Sequence, residues 1–543
     1  MRESLSNARH GERCVEAPPR GRTTSTARHA LAASLLLLAG CSGLFPSPTP
    51  SPTHRPSPSA TPIPSPIPSP TLEAFAEFPL PVVTGQTGFR VEITAAEVSA
   101  HLALGTILVP CEVRVVIGSV VSPAESTACL DGLQIPTALA EDPQALALLP
   151  PGLVSPATKV LRIGPADPFG GPRARRHYYP VRGSAIGLPE SWTAYDRDEI
   201  RTLMSLGDSC PDRGVAYQAI TLGRGWPWVF DGGHAIYRRI YPNPVAPGSV
   251  GYGFNVVDAV QAGDTGAVAR LVKDADVTVD DFECPVVDNW QVNGGSVFSI
   301  DPAVLPHLRD VFGVDAVTLA ANHVLDQGVA GLLETIAKFY AAGIPITGMG
   351  ADLDAALEPA LVEVGGMTFA FVGFNEIPGA SPAGAGQPGV AWINQANAEE
   401  AVRRAREAGA ALVFCMPQWG LPEYRSGWSA LQIQHQAMFY AAGCDHILGS
   451  GTHWAGPIGF SRTDDGALHY AIGSHGNFLF GQDWSQETQE GVIVEFAFRG
   501  TEVAQVRLYP YIILDQAQPA LTDPLTDGAH VLRRVYDTSG WAY

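Results

Sequence analysis

Between about residue 229 and residue 512 the chain repeats one unit: a short apolar run, a polar corner, and an amphipathic stretch at helical spacing. "ADVTVDDFE" and "GVDAVTLAANH" read as strands, as do "FAFVGFN", "AALVFCM" and "DHILGSG". "ANAEEAVRRAREAG" and "ALQIQHQAMFYAAG" read as the helices between them. In "GVAGLLETIAKFYAAG" the spacing puts Val329, Leu332, Leu333, Ile336 and Phe339 on one helical face, and Gly343 ends the helix. Strands that alternate with amphipathic helices bury their sheet faces beneath those helices. The chain is therefore read as a layered α/β fold with a largely parallel core. In such folds ligands gather beyond the carboxyl ends of the strands.

A chain of 543 residues is too long for one core, so more than one domain is expected. Residues 72–228 alternate β-like runs such as "CEVRVVIGSVV" and "KVLRIG" with Pro/Gly-rich turns, plus one helix-like stretch, "EDPQALALLP". They are read as a smaller α/β or β-rich domain ahead of the layered domain at 229–512. Residues 513–543 are read as a C-terminal tail. "RARRHYY" and "HYYPVRG" form the basic-aromatic cluster of the small domain and are expected on a solvated loop.

The N-terminus carries an address. "RHALAASLLLLAGC" sets Arg28 and His29 before an apolar run too short to span a bilayer, and small residues precede Cys41. This resembles a bacterial lipoprotein signal over residues 1–40, with Cys41 lipidated. From Pro46 to Thr71 nearly every second residue is proline, which favours extended polyproline II and cannot form a core. Residues 41–71 are therefore expected to be a stalk on the outer face of the bacterial cell membrane. Cys111 and Cys129 lie near enough to close a small loop, and Cys210, Cys284, Cys415 and Cys444 are expected as buried thiols. Residues 41–543 hold 28 Lys and Arg against 51 Asp and Glu. That balance excludes nucleic acid as a partner, since little would displace its counterions.

Polar residues collect at the expected strand ends. "VTVDDFECP" offers Asp280, Asp281 and Glu283, and "LAANHVLD" offers Asn322, His323 and Asp326. "FCMPQWGLPEY" offers Gln418, Glu423 and Tyr424; "ILGSGTHW" offers His453; "YAIGSHGNFLF" offers His475 and Asn477. Taken singly, an Asn-His pair after a strand is commonly a capping turn. Jointly, carboxylates, amides and imidazoles at successive strand ends form a ligand set for a hard-to-borderline divalent metal.

These corners resemble the CapA (poly-γ-glutamate capsule synthesis) family, whose domain is a variant of the calcineurin-like metallophosphoesterase fold. "ADVTVDDFECPV" is similar to its strand ending in Asn-Leu-Glu-x-Pro, and "VTLAANHVLDQG" to its Leu-Ala-Asn-Asn-His-x-x-Asp-x-Gly. "QWGLPEY", "GSGTHW" and "YAIGSHGNFLF" resemble its His-Trp-Gly-x-Glu-Tyr, Gly-x-His-x-His and Tyr-x-x-Gly-Asn-Phe-x-Phe. The resemblance implies Glu283, Asn322, Gln418 and His453 as metal ligands. It also implies His323 as general acid, with Asp326 orienting its ring. Departures follow. The family opens with a strand ending in Gly-Asp, and "VFDGGHAIYRR" supplies only Asp231 and His234, out of register. Gln418 and Gly451 stand where the family has histidines, and Asp281 where it has Asn. At most one divalent ion is thus expected, Mn, Mg or Ca, with Asp231, Asp281, His475 and Asn477 as further candidate donors. The resemblance implies a partner in a capsule or envelope polymer. It leaves two readings: a metal-dependent hydrolase, or a polymer-handling module on a partly degraded site.

Overall fold

"IRTLMSLGDSC" is buried along almost its whole length, which an apolar strand achieves only with neighbours on both edges and cover on both faces. In the computed structural model it is the strand β1, Ile200–Cys210. The structure describes residues 77–543 apart from 118–119, 123–128, 185–187, 233–235, 240–256, 262–265 and 464–465. The expected signal, Cys41 and the stalk all lie outside the described residues.

The site-bearing strands are numbered in chain order after β1. They are β2, Val277–Phe282; β3, Ala316–Thr318; β4, Leu412–Gln418; β5, His446–Leu448; β6, Leu468–Ile472; and β7, Asn477–Phe480. Two long strands follow, β8, Glu490–Arg499, and β9, Glu502–Leu514. An eight-stranded sheet runs in the order Ile346–Thr347, β3, β2, β1, β8, β9, Gln518–Leu521, with β7 also paired to β1. Its first four strands and β7 are parallel, and β8 meets β1 antiparallel. A six-stranded sheet runs Ala360–Val364, Met367–Asn375, β4, β5, β6, Ile458–Arg462, with the middle four parallel.

The sheets pack face to face. Leu203, Val277 and Val279 from one meet Phe369, Phe371 and Phe414 from the other, with Phe496 and Phe498 in the same cluster. Helices cover the outer faces, including α1, Gly328–Ala342. This is the layered α/β architecture expected from the sequence. The buried face of α1 differs from the expected one: Leu332 and Phe339 are buried with Gly331 and Thr335, while Val329 and Leu333 are 48% and 40% exposed. The Thr335 hydroxyl accepts from the Val286 backbone N–H at 2.9 Å, which rotates the helix onto that strand end. Burial of Leu332 and of Phe339 stabilises the contact by about 1.5–3 kcal/mol each.

The expected boundaries shift. Residues 77–184 form two smaller sheets, of five and four strands, but Val83, Leu149 and Val160 from them share a cluster with Ile200, Ala497 and Ala504 of the large sheet. Residues 73–543 are one compact unit, so no division falls at 228/229. β1, assigned by its turns to the small domain, is instead central to the large sheet. "EDPQALALLP" is not a helix: Leu146–Leu148 is the middle strand of the five-stranded sheet, where three apolar residues are buried. Residues 513–543 are no tail, because Gln518–Leu521 extends the sheet and α2, Ala529–Ser539, buries Val531, Leu532, Val535 and Tyr536 in the inter-sheet core. Three disulfides form, Cys111–Cys129, Cys210–Cys284 and Cys415–Cys444, so the four expected thiols are paired. Among the described residues no helix is long and apolar enough to cross a membrane.

Candidate functional site

Parallel strands that end together present their last residues side by side, and here the last residues are acids. Asp208 at the end of β1 is in register with Asp281 at the end of β2. Gly207 precedes Asp208 for a spatial reason: a Cβ there would lie 2.0 Å from the Gly476 carbonyl oxygen, where the turn before β7 crosses the strand. Gly207-Asp208 is thus the strand-end Gly-Asp that "VFDGGHAIYRR" failed to supply. Asp231 is exposed at the last position of the helix Trp226–Asp231, and His234 lies outside the described residues.

Asp208, Asp281 and Glu283 are all buried. Neither Asp281 oxygen has a well-aligned hydrogen-bond partner, although the Ser450 hydroxyl lies near enough to favour its charge. Burial, then the charges of Asp208 and Glu283, hold the Asp281 carboxyl well above the ordinary range. Burial also raises Glu283, against the lowering influence of His453 and His323. Glu283 Oε1 accepts from Gln418 Nε2 at 2.9 Å, while its Oε2 is unpartnered. Gln418 spends its other end as well, its Oε1 accepting the Asn322 backbone N–H at 2.8 Å. It therefore ties the β2 corner to the β3 corner. Asn322 Oδ1 is left buried and unpartnered. Asp280 faces the other side of β2 and accepts from Ser209 Oγ at 3.0 Å. Cys210–Cys284 fastens the same two strand ends, two residues beyond Asp208 and one beyond Glu283.

Two imidazoles enter from the second sheet. His475 Nδ1 lies 3.0 Å from the Gly449 carbonyl oxygen and must donate to it, which leaves Nε2 bare; that atom is buried and has no partner. Burial holds His475 down to about 4, as a neutral ring. His453, at the left-handed φ of 61°, places Nδ1 3.1 Å from Asp208 Oδ2 and 2.9 Å from Asn477 Oδ1. Burial opposes charge on that ring, but Asp208 and Glu283 outweigh it and raise His453 to about 9.

At the rim His323 Nδ1 meets Asp326 Oδ2 at 2.9 Å. Asp326 Oδ2 also accepts the Phe298 backbone N–H at 2.7 Å. Burial disfavours a charged His323, yet the hydrogen bond to Asp326 and the Glu283 charge raise it. One further residue was invisible in the corners: Arg213, at φ 47°, spreads its guanidinium 4.5 Å from the Phe298 ring centroid and 5.5 Å from that of Trp484. Its Nε donates to the Gly295 carbonyl at 2.7 Å, while Nη1 is buried and unpartnered. It came five residues after Asp208, in a stretch assigned to the small domain.

No three His, Cys, Asp or Glu side chains among the described residues form a ready-made metal cage. The residues nonetheless suit a hard cation. Unpartnered oxygens on Asp281, Glu283 and Asn322 and the bare Nε2 of His475 are buried donors without donors of their own to face. A second ion fits less well. Gly451, at φ 97°, gives its N–H to both oxygens of Asp208 at 3.3 Å, and a Cβ there would lie 2.7 Å from Ile377 Cδ1 and 2.8 Å from Gln418 Cγ.

Fold and site together define a layered α/β protein with a buried cluster of carboxylates and imidazoles at the carboxyl ends of parallel strands. Residues 202–482, more than half of the chain, match the family described as bacterial capsule synthesis protein PGA_cap, and the chain belongs to that family. It is 29% identical over 203 residues to the PGA biosynthesis protein CapA of Bacillus subtilis (strain 168), covering 37% of this chain and 51% of that one. It is 26% identical over 284 residues to the capsule biosynthesis protein CapA of Bacillus anthracis, covering 50% and 66%. The chain thus spans between half and two-thirds of these relatives' length. Similar solved structures include the NAD nucleotidase of Haemophilus influenzae, at TM-score 0.34 and 12% identity over 62% of this chain and 55% of that one. Another is the calcineurin-like phosphoesterase YfkN of Bacillus subtilis, at 0.30 and 13% over 63% and 98%. Scores this low carry no functional inference.

Proposed function

We propose that this chain is an exported accessory of capsule-polymer synthesis, lipid-anchored through Cys41, that handles a poly-γ-glutamate-like polymer. Its cleft would hold one divalent ion, Mn²⁺, Mg²⁺ or Ca²⁺, among Asp208, Asp281, Glu283, Asn322 and His475. The observation that carries this reading is the set of buried, unpartnered donors at the ends of β2, β3 and β6. An ion there would polarise an acyl or phosphoryl oxygen and activate water. Arg213 Nη1 suits an anionic group of the substrate, and His323, oriented by Asp326, suits proton delivery to a leaving group. Three disulfides fit an oxidising compartment.

A second reading, binding without turnover, is favoured by Gln418 and Gly451. Both place amide contacts where imidazole donors would be needed for a second ion. Metal analysis of the purified chain separates the two. The first reading expects one equivalent of ion, and His323→Ala is expected to keep that ion while lowering hydrolysis by roughly 10². An ion-free, inactive wild type would leave only the binding reading; two tightly held ions would refute both counts. For the anchor, Cys41→Ala is expected to move the protein out of the membrane fraction of a bacterial host. Retention there would remove the lipoprotein assignment.

A further inference from the structure

Acids are missing from one stretch of an acidic chain. Residues 168–189 contain no Asp or Glu, while Arg173, Arg175, Arg176, His177 and Arg182 fall within ten of them. The structure folds Pro168, Arg175–Tyr179 and Arg182 of this stretch into the wall of a groove of about 470 Å³, ahead of the family-matched region. Its lining includes Arg176, His177, Tyr178, Arg182, Arg197 and the acid Glu77.

The groove is held in shape by side chains that are not themselves on offer. Arg175 is buried and forks onto Asp276 at 2.6 and 2.8 Å, and its Nε donates to the Arg197 carbonyl at 3.0 Å. One residue thereby pins both the 174–176 turn and the Arg197 loop to the start of β2. Tyr179 is also buried, donating to the Leu161 carbonyl and accepting from the Val82 N–H, both at 3.0 Å. Its neighbour Tyr178 consequently points outward, 71% exposed, with the Arg182 guanidinium 5.5 Å from its ring centroid. Arg176, His177 and Arg197 are exposed. Arg182 Nη2 donates to the Glu77 carbonyl oxygen at 3.0 Å, and its Nε, 3.8 Å from the Glu77 carboxylate, is buried without a hydrogen-bond partner. Asp196 and Asp198 border Arg197, and Asp196 Oδ1 is occupied by the Asp198 N–H at 2.8 Å.

We propose that this groove binds an acidic polymer whose anionic groups are carboxylates. The choice of a poly-γ-glutamate-like chain rests on the capsule reading above, whereas the site is separate from the cleft. Guanidinium groups match carboxylates in a planar fork, and several of them spaced along a groove suit a repeating ligand better than a single small anion. The 3.8 Å pairing of Arg182 with the half-exposed Glu77 carboxylate is weak and yields to a competing carboxylate. Attraction between exposed charges is screened by salt, so binding is expected to weaken as salt rises.

The test is fluorescence anisotropy of labelled poly-γ-glutamate with the full chain. The variant carrying Arg176→Ala, Arg182→Ala and Arg197→Ala is expected to bind at least tenfold more weakly, with thermal midpoint and metal content as in wild type. The matching Arg→Lys variant, which keeps the charge but not the fork, is expected to recover only part of the affinity. Unchanged affinity in the alanine variant overturns the groove, as does wild-type binding of duplex DNA of equal charge with equal strength. If the wild type binds no polymer while metal and turnover are retained, the groove fails and the cleft reading stands. If groove binding holds in a protein without metal or turnover, the groove stands and the catalytic reading of the cleft falls.

Discussion

Asp208→Asn is expected to lower affinity for the divalent ion by more than 100-fold and hydrolysis by at least about 10³. Loss of groups that merely orient ligands typically costs about 10–100-fold, and Asp208 is both a candidate donor and the partner that orients His453. It also accepts the Gly451 N–H, so it joins both sheets across the cleft. Stability should respond differently. Asn removes one charge from a buried cluster in which Asp208 already holds Asp281 towards its protonated form, while one hydrogen bond to His453 is lost. Because the lost bond is to a ring that Asp208 helps hold charged, the ion-free protein is expected to lose at most about 1.5–3 kcal/mol, partly offset by relief of repulsion among the carboxylates. Titration calorimetry with Mn²⁺ reads the first effect and denaturation with chelator present reads the second. Metal affinity within threefold of wild type would show that Asp208 is a structural partner of His453 and nothing more.

Asp208 also shows what a local sequence pattern can and cannot carry. The corners at Glu283, Asn322, His323, Gln418 and His453 were legible because each follows directly on a short apolar run that reads locally as a strand. Asp208 closes a strand of the same kind, "TLMSLGDSC", but the neighbours of β1 are β2, β7 and β8, none within sixty residues of it. Pairing over such distances leaves no local periodicity, and the Pro/Gly-rich context drew the strand into the small domain. The pattern being sought, an apolar run ending in Gly-Asp, was present in the letters. The C-terminal helix was likewise readable, since Val531, Leu532, Val535 and Tyr536 recur at helical spacing. The 210–284 and 415–444 disulfides were not, because spacing along the chain says nothing of which strand ends meet. Arg213 escaped because its role depends on Phe298 and Trp484, which reach it from other loops.

Arg507→Met is expected to destabilise the protein by about 3–5 kcal/mol at neutral pH, the usual cost of stranding buried charges by removing their partner. Arg507 is fully buried on β9, its Nε 2.7 Å from Glu495 Oε2, and its Nη1 bonds Asp167 of the N-terminal region. Tyr509 donates to the same Glu495 oxygen at 2.8 Å. Burial already raises Glu495 above the usual carboxylate range, and Arg507 is the strongest influence pulling it back. Without the guanidinium the Glu495 carboxyl would rise further. A group whose folded value lies above its unfolded one contributes stability below the unfolded value and loses it as pH rises through the folded value. The deficit of the variant should therefore shrink in acid and be largest near neutrality. Adding Asp167→Asn and Glu495→Gln to Arg507→Met should restore much of the loss, since neutral amides remove the two carboxylates that Arg507 had paired. Urea denaturation across pH measures both effects. A deficit below 1 kcal/mol, or one that grows as pH falls, would mean that apolar contacts such as Val83 and Val160 against Ala497 hold this junction, and that the ion network adds little to it.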